Sequence, residues 1–175
     1  MGLFTDKNKR AEKPQVLIVE DNERQSQLLA QIVNETELYQ ALVAYNGNDA
    51  LAILDANQRG FDFLTNRISC ILLDWQMPEM NGEEFLKRLR EKENKNPFKR
   101  HIPVVIVSAY GDSERRMLAE DASFGLASAY LLKPFDEAEL LNVLKRIVIN
   151  KEGEIMRELM IEQRSRWLEE FRKDL

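Results

Sequence analysis

Two kinds of apolar run alternate along the chain. Short runs of consecutive apolar residues give way to stretches in which apolar residues recur every three or four positions. Gln15–Val19 is the first short run and stops at Glu20-Asp21. Residues 23–36 carry Leu28, Leu29, Ile32 and Val33 at helical spacing. Leu38–Ala44 reads as a second strand, and Asn48–Gln58, with Ala50, Leu51, Ile53 and Leu54, as a second helix. Ile68–Leu73 is a strand that stops at Asp74, followed by a helix over Glu83–Glu93 with Phe85, Leu86 and Leu89 on its apolar side. Val104–Val107 stops at Ser108, and residues 112–124 predict a helix closed by Gly125. Ala129–Leu132 stops at Lys133, and a long helical stretch begins near Asp136.

Five strands alternating with five helices predict an α/β fold, with a parallel sheet covered on both faces. Right-handed crossovers leave few topologies. In such sheets ligands bind outside the carboxyl ends of the strands. Glu20-Asp21, Asp74, Ser108 and Lys133 each stand at that end of a different strand, so the fold gathers them on one edge.

Three carboxylates on one edge repel, and in a partly dry pocket their charge needs compensation. A hard divalent cation held through oxygens supplies it, and Mg²⁺ suits a few carboxylates, a carbonyl and waters. With the ion bound, Asp74 could attack phosphorus as a covalent nucleophile. The Ser108 hydroxyl and Lys133 ammonium could bind oxygens of the transferred group. Singly, each residue has a plainer reading: a strand-end Asp is usually a turn or cap residue, a strand-end Ser a polar stop, and Lys-Pro a turn. Their conjunction in this order favours chemistry.

Composition narrows the picture. The 175 residues suffice for one domain and an appendage, and 44% hydrophobic with 31% charged residues is globular. A net charge of −5 offers no basic surplus to neutralise phosphates, so direct nucleic-acid binding is not expected. No apolar run approaches the roughly 20 residues that span a bilayer, and the N-terminus reads as no signal peptide. Asp6 stands where a myristoylation motif following Gly2 would want Ser or Thr. The single cysteine, Cys70, lies within an apolar run and reads as a buried thiol. A cytoplasmic, disulfide-free protein is expected. His101, the only histidine, reads as a surface residue.

At this point the residues resemble the receiver domain of two-component response regulators, over about Pro14 to Val148. Leu72-Leu73-Asp74-Trp75-Gln76-Met77-Pro78-Glu79-Met80-Asn81-Gly82 is similar to the family's phosphoacceptor loop. Val16–Asn22, Val105–Ala109 and Tyr130–Phe135 match in order. The resemblance implies a flavodoxin-like (βα)5 doubly wound sheet of order 2-1-3-4-5, with an extended C-terminal helix. It implies Asp74 as phosphoacceptor, Asp21 as the more direct Mg²⁺ ligand, Glu20 acting through water, and the Gln76 carbonyl completing the ion's shell. Ser108 would hydrogen-bond the phosphoryl group, Lys133 would pair with it, and Tyr130 would be the switch aromatic. The implied partner is a histidine kinase or phosphotransfer protein. The implied output face runs from the fourth predicted helix to the fifth, residues 112–148. No separate substrate turnover is expected; at most the chain catalyses its own phosphorylation and dephosphorylation. Glu20 departs from the family's more usual Asp, and Gln76 occupies a position thought to influence dephosphorylation. Two other classes remain: an unphosphorylated receiver-fold scaffold, and an aspartate-nucleophile phosphatase, which needs a second Asp where Gln76 stands.

The expected organisation is a leader over 1–13, a receiver over 14–149 and a helical extension over 150–175. The extension carries Ile155, Met156, Leu159, Met160, Ile161, Trp167, Leu168, Phe171 and Leu175, with Gly153 its weak point as a helix. A continuous helix from Asp136 would span roughly 60 Å. Three fates are open: a dimeric coiled coil, folding back on the receiver, or docking on another protein. A homodimer through this helix or through the 112–148 face is the favoured expectation. The polar stretches Asp55–Arg67 and Glu93–His101 read as surface insertions, with partner surfaces the alternative.

Overall fold

The computed structural model describes residues 13–57, 67–95, 101–109, 127–153 and 155. The leader up to residue 12, the helix predicted over 112–124 and the tail after Ile155 therefore lie outside the described residues, as does most of the two polar insertions. Five strands, β1 (Gln15–Val19), β2 (Gln40–Ala44), β3 (Ile68–Asp74), β4 (Val104–Ala109) and β5 (Ala129–Lys133), form one parallel sheet of order β2-β1-β3-β4-β5. This is the flavodoxin-like order the resemblance implied.

Successive strand residues point to opposite faces, and the two cores follow that alternation. Leu17, Val19, Ile71, Leu73, Val104 and Ile106 pack under α2 (Gly47–Asn57) and α3 (Gly82–Asn94), against Ala50, Leu54, Phe85, Leu86 and Leu89. Val16, Ile18, Cys70, Leu72, Val105 and Val107 pack on the other face. There they meet Leu29 and Val33 of α1 (Glu23–Glu35) and Leu140, Leu144, Ile147 and Val148 of the C-terminal helix. Cys70 is fully buried, and burial pushes its thiol up to about 12, which makes it inert.

Caps explain the helix starts. Asn22 accepts from the Arg24 and Gln25 amides, Asn81 from the Glu84 amide, and Asp136 forms a capping box with Glu139. A buried ion pair ties α3 to the entry of β4. Arg90 meets Glu93 at 2.5 Å and donates to the Ile102 carbonyl, while the Ile102 amide donates to Glu93.

Two elements differ from the sequence reading. β2 begins at Gln40, not Leu38. α1 ends in a turn in which Glu37 takes φ 58° and Thr36 Oγ1 accepts from the Leu38 amide, leaving Leu38 exposed. The C-terminal helix is present but interrupted. It runs as α-helix over Glu137–Leu144, widens to a π-turn over Lys145–Ile149 and then turns a corner. At the corner Lys151 takes φ 61°, the Glu152 amide donates to the Arg146 carbonyl, and the Glu152 carboxylate accepts from Arg146 and Asn150. Gly153 is helical again and buried; a Cβ there would stand 3.2 Å from Pro103 Cγ. Gly153 is thus a close-packing position at the entry to β4.

Candidate functional site

β3 and β4 extend through the residues read as stops. Asp74 pairs in register with Val107, and Ser108 with Leu132. The polar residues are therefore the last rungs of the sheet, held by its hydrogen bonds. Glu20 follows the same rule: its amide donates to the Ala44 carbonyl, one step beyond β1.

Alternation then sorts their side chains. Glu20, Asp74 and Lys133 are in phase with Ile18, Leu72 and Leu131, on the α1 side. Ser108 and Tyr130 are in phase with Ile106, on the α2 side, and Tyr130 packs against that core. Glu20, Asp21 and Asp74 present carboxylate oxygens within 4.8 Å of one another. Glu20 and Asp74 are buried, Asp21 is exposed. Lys133 Nζ lies 2.8 Å from Glu20 Oε2, 2.7 Å from Gln25 Oε1 and 3.5 Å from Asp74 Oδ1. Burial drives the Asp74 carboxyl up to about 6; Lys133 opposes this, and Glu20 and Asp21 add to it. Ser108 is buried at its strand end, and Gln76 is exposed two residues past Asp74.

The loop after Asp74 is held by close contact. Gly82 donates its amide to the Trp75 carbonyl, and a Cβ on it would lie 2.8 Å from the Asp74 carbonyl oxygen and from Trp75 Cα. Met80 is buried against Gly47 at the start of α2. Glu79 bridges the loop at φ 65°, with the Met80 amide donating to the Pro78 carbonyl.

The carboxylates fit a small hard cation. Mg²⁺–oxygen bonds of about 2.1 Å in an octahedron set neighbouring oxygens roughly 3 Å apart and opposite ones roughly 4.2 Å. The three carboxylate oxygens, within 4.8 Å of one another, would draw together to that spacing around an ion. The raised Asp74 carboxyl marks charge that the protein alone leaves under-compensated. Glu20 is engaged by Lys133 and by the Asn22 amide at 3.2 Å, which leaves Asp21 as the freer donor beside Asp74. Sequence reasoning missed Gln25, since a glutamine on an exposed first turn of a helix carries no pattern. Its place one turn beyond the acidic pair was the available signal.

Comparison with known proteins decides the family. The family model described as the response regulator receiver domain matches residues 16–145. The chain belongs to this family. The receiver is 31% identical over 133 residues to the transcriptional regulatory protein CpxR of Escherichia coli K12, covering 76% of this chain and 48% of that one. It is 28% identical over 134 residues to the transcriptional regulatory protein SrrA of Staphylococcus aureus, covering 77% and 47%. The chain thus spans about half the length of these curated relatives. Among solved structures, a signal receiver domain of a histidine kinase from Syntrophus aciditrophicus matches with TM-score 0.60 at 29% identity, over 78% of this chain and 91% of that one. The Vibrio cholerae chemotaxis protein CheY4 matches the receiver's fold with TM-score 0.60 at 24% identity, over 78% and 99%. The receiver is therefore a two-component signalling domain. Among its described residues no helix is long and apolar enough to cross a membrane.

Proposed function

We propose that this receiver accepts a phosphoryl group on Asp74, with Mg²⁺ bound beside it, from a histidine kinase or a phosphotransfer protein. The carrying observation is the buried Asp74 carboxylate gathered with Glu20 and Asp21 and faced by Lys133. Asp21 and Asp74 would hold the ion directly, Glu20 through water, and Gln76 through its backbone carbonyl. The ion would neutralise the carboxylates and the incoming phosphoryl oxygens.

The chain's own residues do the rest. Asp74 Oδ attacks phosphorus; the O–P bond forms as the donor histidine's P–N bond breaks, and the histidine nitrogen regains a proton. Lys133 binds a phosphoryl oxygen and offsets its charge. Ser108 moves toward the phosphoryl group and donates its hydroxyl to another of its oxygens, and Tyr130, on the same face of the sheet as Ser108, follows that movement inward. Hydrolysis later breaks the O–P bond, with water supplying the oxygen, and restores the carboxylate. The output is a changed interaction surface. It spans residues 112–148 or involves the C-terminal helix, with a homodimer as the favoured form, in the cytoplasm and without direct contact to nucleic acid. The relatives are transcriptional regulatory proteins roughly twice the matched length.

Incubation with a small acyl-phosphate donor and Mg²⁺, read by intact mass, tests the reading. One added phosphoryl group on the wild type is expected, and none on Asp74→Asn or after chelation. Equal labelling of Asp74→Asn would sink it by placing the phosphoryl group elsewhere, and no label on the wild type would sink it and revive the unphosphorylated scaffold.

A further inference from the structure

We infer that Gln25 is a positioning residue for this site: its side-chain oxygen holds the Lys133 ammonium off Asp74 until the site is loaded. The inference rests on the proposed role of Asp74. A lysine ammonium has three donors and no acceptor, so only the amide oxygen of Gln25 can face it. The three donors have three acceptors, and the shortest contact, 2.7 Å, is to the neutral one. Asp74, although charged, is the farthest at 3.5 Å.

The placement of Gln25 is built in. Its backbone amide donates to the capping oxygen of Asn22 at 3.1 Å, and the Asn22 amide donates to Glu20 Oε1 at 3.2 Å. Lys133 closes the circuit by bonding both Gln25 Oε1 and Glu20 Oε2. The start of α1, the end of β1 and the end of β5 are thus joined in one hydrogen-bonded ring, with Asp74 outside it. Fixed in this ring, Lys133 leaves the Asp74 oxygens open to an ion and to phosphorus. Once a phosphoryl group arrives, the lysine can trade the neutral amide for a charged oxygen, a stronger acceptor.

Removing the acceptor should turn the third donor onto Asp74, where it masks the nucleophile and competes with the ion. Replacing it with a carboxylate should hold the lysine harder and add negative charge beside the ion. Gln25→Leu and Gln25→Glu therefore act in opposite directions; added charge alone accounts for a gain in Gln25→Glu, whereas the loss in Gln25→Leu requires the contact to Lys133. Gln25 is exposed on a helix and both replacements are good helix formers, so the variants fold.

The test is Mg²⁺ titration of the full chain carrying Trp167→Phe, so that the fluorescence followed is that of Trp75, which is buried next to Asp74. Gln25→Leu should weaken Mg²⁺ by roughly 3- to 10-fold and slow labelling by the acyl-phosphate donor to match. Gln25→Glu should tighten Mg²⁺ by about 2-fold, both within the range that one displaced charge produces. In a metal-free crystal structure of Gln25→Leu, the Lys133–Asp74 distance should shorten to about 2.8 Å. Wild-type Mg²⁺ affinity in both variants, in a protein that still labels on Asp74, overturns the inference and leaves the proposed function standing. A wild type that neither binds Mg²⁺ nor labels sinks the proposed function. The metal-free structure then decides for Gln25 alone, and an unmoved Lys133 overturns it.

Discussion

At the scale of single residues, Asp74 sits at a cost in the metal-free protein. Its folded carboxyl titrates at about 6, above the ordinary 3.8, chiefly because it is buried. The folded state then holds this proton more tightly than the unfolded chain. Stability from this group is therefore highest below about pH 4 and falls as pH rises through about 6. Asp74→Asn removes the ionisable group and forfeits only the long contact to Lys133. Without metal, it should exceed the wild type by about 2 kcal/mol at pH 7.5, with the gap closing below pH 4. Thermal melts across pH would check this, and saturating Mg²⁺ should raise the wild type but not the variant. Asp74, Ser108 and Lys133 were legible in the sequence because each interrupts an apolar run. Gln25 was not, because only the folded chain brings it to Lys133. The side chains' division between two faces followed from strand parity, yet it needed the true strand ends to be read.

At the scale of elements, the strands were legible wherever both faces are buried, as in β3 and β4, since both parities are then apolar. Leu38 misled because an apolar residue in an exposed turn looks like the start of β2. Nothing about Glu37, Glu79 or Lys151 announces a positive φ, since these side chains do not favour it. The start of α3 depends on one glycine in a way that reaches the site. A methyl at Gly82 would meet backbone atoms of Asp74 and Trp75, which cannot swing aside as a side chain can. Gly82→Ala should cost roughly 2 kcal/mol through overpacking and displace Asp74. Denaturant melts should show the loss, and Mg²⁺ titration a weakened site. Normal Mg²⁺ affinity in a destabilised variant would show that the loop relaxes elsewhere.

At the scale of the whole molecule, the two ends of the sheet differ. The carboxylates, Ser108 and Lys133 crown one end of the strands, while Pro103 and Ser128, where β4 and β5 begin, lie under Gly153 at the other. If residues 150–175 carry self-association, the 175-residue chain should sediment as a dimer, at least when loaded with an acyl-phosphate mimic, and a 1–149 truncation as a monomer. Two monomers in both states would remove the coiled-coil reading. The apolar spacing of the tail was legible in the sequence. The corner before it was not, because Gly153 reads as a weak helical position until Pro103 is seen beneath it. That corner has a practical consequence for anyone grafting this receiver onto a reporter. A splice at Ile149 discards Lys151, Glu152 and Gly153 and with them the bearing at which the chain departs. A splice after Ile155 carries the bearing along, so the graft inherits its direction from the entry of β4 and not from the helix that precedes it.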